Sequence, residues 1–73
     1  MWEYMGRQIE LQINGELVAI EPCSLAHYID TCDLDITSLI VECNGSIIRQ
    51  EEWSDRMLAE GDHLELLSFV GGG

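Results

Sequence analysis

Ile9, Leu11 and Ile13 alternate with Gln8, Glu10 and Gln12, and the alternation runs straight into Asn14-Gly15. No other stretch restricts the fold as much. A period of two is a strand with one face on a core. Asn-Gly is the strongest short hairpin signal, because a type I′ turn needs positive φ at both central residues. Residues 17–20 are then the return strand, with Val18 and Ile20 facing inward. The chain has 73 residues, enough for one domain with a small core that supplies only about 3–5 kcal/mol of net stability.

Pro22 stops the return strand, and Ser24 is a good N-cap for a helix running to about Cys32. Leu25, Tyr28, Ile29 and Cys32 fall on one stripe of that helix, with His27 off it. Residues 33–38 form a polar connection plugged by Leu34 and Ile36. Residues 39–43 are a β-rich run suited to burial on both faces. Asn44-Gly45 marks a second turn, and Ile47 and Ile48 continue as a short strand. Residues 51–58 read as a short helix or helical turn with Trp53, Met57 and Leu58 as core contacts. After the turn at Glu60-Gly61-Asp62 comes a last strand, with Leu64, Leu66 and Ser68 on one face and Leu67 and Phe69 on the other. The expected class is α+β: one main helix packed across a mixed four- to five-stranded sheet, closing a two-layer core.

Charge narrows the partners. Fourteen Asp and Glu stand against three Arg and no Lys, a formal net charge of −11. Such a surface repels nucleic acid phosphates and anionic lipid, and suits a basic docking surface on another protein. Without lysine, the chain cannot accept isopeptide bonds on side chains. Cys23, Cys32 and Cys43 are odd in number and widely spaced, which argues against a zinc knuckle, a redox motif or a disulfide framework and for reduced, buried or half-buried thiols. His27 and His63 complete no metal signature. No nucleophile, metal or phosphate-loop motif supports an enzyme. The uninterrupted apolar runs are too short for a signal core or a membrane span, so a cytoplasmic location is expected. Residues 1–6 lack the alternation that begins at Ile9 and are read as an extension, native or vector-derived, ahead of a domain over 7–70 and a tail over 71–73.

That tail reads Phe69-Val70-Gly71-Gly72-Gly73, an apolar strand running into bare backbone. Ordering glycine costs more backbone entropy than ordering any other residue, so a flexible glycine tail finishes a fold poorly. It is, however, a good way to deliver a carboxylate into a narrow site on another protein. An acidic binding module with incidental glycines is the alternative reading.

In this order the segments resemble the ThiS family of sulfur carrier proteins of thiazole and thiamin biosynthesis. The correspondence covers Ile-x-Leu-x-Ile-Asn-Gly-Glu from Ile9 to Glu16, the helix start at Ser24-Leu25 and the turn Asn44-Gly45-Ser46-Ile47-Ile48. It continues through Trp53, Glu60-Gly61-Asp62-His63-Leu64 and the terminal Val-Gly-Gly-Gly. One departure is Arg49-Gln50, where the family typically has Pro-Arg; the basic contact is shifted to Arg49 or absent.

The resemblance implies a ubiquitin-like β-grasp with its first and last strands side by side in the sheet centre. It also implies a carrier that binds no cofactor. A ThiF-type E1-like enzyme would use ATP to adenylate the Gly73 carboxylate. A persulfide from a sulfur-donating desulfurase system would convert it to a thiocarboxylate, and a ThiG-type thiazole synthase would take the sulfur. Gly71 and Gly72 would thread the tail through the activating enzyme, and Leu67, Phe69 and Val70 are candidates for docking the head. The small subunit of molybdopterin synthase and carriers for tRNA thiolation share this chemistry and remain alternatives.

Overall fold

The computed structural model describes residues 7–68; the expectations placed on residues 1–6, and on Phe69, Val70, Gly71, Gly72 and Gly73, lie outside them. The alternating stretch forms β1 (Ile9–Ile13), which turns into β2 (Glu16–Ile20). Asn14 and Gly15 hold φ of 53° and 83°, the positive pair that a tight hairpin of right-handed twist requires. Helix α1 (Leu25–Thr31) follows. The Ser24 hydroxyl accepts from the His27 N–H at 3.1 Å, satisfying an otherwise orphaned helix donor. Past the Cys32 C-cap, Asp33 takes a φ of 58°, a left-handed residue of the kind that stops helices. Seven residues are too few for a helix to persist alone, so packing holds it. Leu25 and Ile29 are almost wholly buried.

A 3-10 turn (Ile36–Ser38) leads into β3 (Leu39–Cys43), and Asn44-Gly45 turns it into the two-residue β4 (Ser46–Ile47). A 3-10 helix (Gln50–Asp55) precedes β5 (His63–Ser68). The sheet order is β2-β1-β5-β3-β4. Strand β5 runs parallel to β1 on one side and antiparallel to β3 on the other. Leu11, Ile13, Val41, Cys43 and Leu64 line the covered face, where α1 lays Leu25 and Ile29 across them. Trp53 closes one end of the core, its indole N–H donating to the Ile48 carbonyl at 3.0 Å. Backbone bonds from Leu25 to Arg56 (2.8 Å) and from Leu58 to Cys23 (3.0 Å) fasten the loops around the helix.

Four expectations need correction. Residues 51–58 form no single helix: the 3-10 helix ends at Asp55, and Met57 bridges Ser24 in extended backbone. Successive side chains alternate there, so Leu58 points inward and Met57 is 58% exposed. Ile36 is not a plug; it opens a 3-10 turn standing in solvent. The turn is capped by Asp35, which accepts from the Thr37 N–H and hydroxyl. Those bonds, the hydroxyl's foremost, hold the Asp35 carboxyl below its ordinary range. Strand β3 is buried on one face only, with Ile40 and Glu42 half-buried on the other. The second hairpin strand ends at Ile47, leaving Ile48 as a half-buried core neighbour outside it. No helix among the described residues is long and apolar enough to cross a membrane.

Candidate functional site: the exit strand and the open face of the sheet

Everything that follows residue 68 leaves from β5, so the groups gripping β5 decide where the tail starts. On the β3 side, pairing continues to the last strand residue, Leu39 opposite Ser68. On the β1 side it stops at Ile13 opposite Leu64, because the chain turns away at Asn14. The Asn14 side chain takes over. Its Oδ1 accepts from the Leu66 N–H at 2.8 Å and its Nδ2 donates to the Leu66 carbonyl at 3.4 Å. A carboxamide has the donor and acceptor of a peptide group, so it stands in for the missing strand.

The other hairpin grips the start of β5. Asn44 Oδ1 accepts from the His63 N–H at 2.9 Å, and its Nδ2 donates to Asp62 Oδ1 at 3.0 Å. Asp62 is the one buried charged residue among those described. Its other oxygen accepts from the Ala59 N–H at 2.9 Å, and Arg56 lies 4.0 Å away. Arg56 in turn donates to the Cys43 sulfur at 3.0 Å. That contact raises the guanidinium pKa further, with a smaller push from Asp62, so the arginine stays a cation. A buried carboxylate with three donors or cations around it serves as a structural anchor.

Among the described residues, no helix packs on the face of the sheet away from α1. Cross-strand register puts Leu67 opposite Ile40, Glu65 opposite Glu42, and Glu42 opposite Ile47. Leu67 is 52% exposed, Ile47 64% and, on the β2 edge, Leu17 67%. Leu67, the one docking candidate inside the described residues, therefore faces solvent and is not core. Arg49 sits at the surface beside Glu51, 3.6 Å away, in an exposed pair that contributes little stability.

Nothing catalytic assembles among the described residues. No group of His, Cys, Asp and Glu there could hold a metal. Cys43 is buried, Cys23 and Cys32 are half-buried, and all three are free thiols. Burial, and to a lesser degree the Glu21 charge, pushes the Cys23 thiol up, away from the reactive thiolate. His27 and His63 are exposed. Grooves of about 260 and 290 Å³ flank α1, one against Trp53 and Ile36, the other against Pro22 and Tyr28, away from the open face. Sequence reasoning missed Asn14, Asn44 and Asp62 as grips on β5. Their turn signals were visible, but which strand lay beside each turn was not.

A mixed sheet with parallel first and last strands at its centre, one helix across one face and an open second face defines a ubiquitin-like β-grasp domain. The chain belongs to the ThiS family, whose family model matches residues 2–73. It is 27% identical over 70 residues to the uncharacterized protein ycf40 of Porphyra purpurea, a match covering 94% of this chain and 99% of that one. The crystal structure of the thiamine biosynthesis protein ThiS from Geobacter metallireducens superposes with a TM-score of 0.76 at 25% identity, covering 89% of this chain and all of that one. The solution structure of a thiamine biosynthesis protein from the same organism gives 0.71 at 25% identity, covering 89% and 88%.

Proposed function

We propose that this chain is a sulfur carrier for thiamine biosynthesis, its working group the Gly73 carboxylate and its folded head a handle for partner enzymes. The observation that supports it most is the family match, which runs through the glycine tail to residue 73.

A carboxylate resists nucleophiles, being an anion with no good leaving group. In the proposed sequence, an E1-like partner supplies ATP, and a Gly73 carboxylate oxygen attacks the α-phosphorus. The bond to the β-phosphate breaks, pyrophosphate leaves and an acyl-adenylate remains. A partner persulfide then attacks the acyl carbon and AMP departs. A second thiol cleaves the resulting acyl disulfide at its S–S bond. The thiocarboxylate is released and the partner is left oxidised as a disulfide. A thiazole synthase would accept that sulfur. This chain contributes position: docking the head raises the effective concentration of the tail at the reacting phosphate. Gly71 and Gly72 keep the tail narrow, Leu67 with Ile40 offers an apolar docking patch, and Phe69 and Val70 are further docking candidates from the sequence.

Intact-mass analysis after incubation with a ThiF-type enzyme, ATP and a sulfide source tests the reading. Exchange of one oxygen for sulfur, mapped to Gly73, is the expected result. An unchanged mass with an activator that charges its own carrier refutes it.

A further inference from the structure

We infer that Asn14 is a positioning residue for delivery of the tail: its carboxamide is the last grip on β5 from the β1 side and so steadies the strand from which the carboxylate is offered. The inference rests on the carrier reading above. Along the β1 side, the ladder runs from the Gln12 N–H to the Asp62 carbonyl (2.9 Å) and from the Asn14 N–H to the Leu64 carbonyl (2.9 Å). The next rung belongs to the Asn14 side chain, on both backbone groups of Leu66. Beyond it, β5 is paired only with β3. Leu66 is thus the last β5 residue bonded on the β1 side.

Gly73 lies seven positions beyond Leu66, a span of at most about 23–25 Å at 3.3–3.6 Å each. Releasing the β1 flank leaves the end of β5 tethered by β3 alone, and the added motion is passed along the whole span. Asn44 is the natural comparison. It occupies the equivalent position of the other hairpin, with a φ of 55° against 53° for Asn14. Its side chain also bonds β5, but at His63, where the strand begins. If the two asparagines were merely turn residues, removing either side chain would have the same consequences.

Glycine keeps each turn, since it accepts positive φ without strain, and removes only the side chain. Asn14→Gly should remain folded. The Leu66 amide should exchange with solvent about tenfold faster, as expected for loss of one hydrogen bond to a backbone amide, while the Leu11 and Val41 amides keep their rates. With an E1-like activating enzyme and ATP, read by pyrophosphate release, its kcat should fall about tenfold with KM unchanged, because the docking face is intact and only the offered geometry is lost. Asn14→Asp keeps the turn and the 2.8 Å acceptor and should recover most of both. Asn44→Gly should lower Tm but leave kcat at the wild-type value.

Unchanged Leu66 exchange in Asn14→Gly overturns the grip. Faster exchange with unchanged kcat, or equal loss of kcat in both glycine variants, overturns the positioning role. Failure of the wild-type chain to be adenylated at all sinks the carrier reading and the delivery role with it. The exchange rates still decide the grip in that case.

Discussion

Leu64 and Leu67 lie three positions apart on the same strand and behave oppositely. Leu64 is 1% exposed in the middle of the core. Leu64→Ala should cost about 2–5 kcal/mol, transfer and cavity combined. That rivals the roughly 3–5 kcal/mol a domain of this size holds in reserve, so thermal or urea unfolding should find the variant largely unfolded near room temperature. Leu67→Ala, on the open face, should stay within about 0.5 kcal/mol of the parent while weakening partner binding. A large Tm loss with intact binding would reverse the assignment of Leu67. Gly72→Val belongs to the same scale. The fold should be unaffected and adenylation blocked, since a β-branched side chain widens a tail proposed to thread a narrow channel. Normal pyrophosphate release from that variant with its cognate activator would remove the narrow-channel argument.

Among the elements, those written in local signals were legible. The Asn14-Gly15 hairpin, the Ser24 cap and the stripe through Leu25 and Ile29 rest on neighbours within four residues, and all three formed as read. Elements whose shape depends on distant contacts were not. The apolar spacing of Trp53, Met57 and Leu58 suits a helix, yet Arg56 and Leu58 make backbone bonds to Leu25 and Cys23 that hold the segment extended. A bond across thirty-odd residues leaves no periodicity. Strand β3 looked fit for burial on both faces because Ile40 and Val41 are equally apolar; only the single helical layer decides which one is covered. The open face was half legible. Period two put Leu67 opposite the inward set, but its pairing with Ile40 and the Glu42–Glu65 step needed the register. That step sets two carboxylates directly across from each other, a mildly unfavourable pairing in the isolated protein.

At the scale of the whole molecule, charge governs encounter. A net charge of −11 with no lysine gives a field that attracts a basic partner from beyond contact distance. The association rate with an activating enzyme should fall about tenfold as salt rises from low millimolar to about 0.5 M, while the dissociation rate, set by the apolar patch, changes little. Stopped-flow association across that range is the check, and a flat profile would reduce the acidity to a solubility device.

The parallel pairing of β1 with β5 carries a temporal corollary. The strand that completes the middle of the sheet is the last of the described strands in chain order, and Leu64, which fills the centre of the core, comes with it. A chain interrupted between β4 and β5 has two half-sheets with nothing between them. The head can therefore reach its native state only after the exit strand has been made, and any partner that requires a folded head rejects copies that lack it.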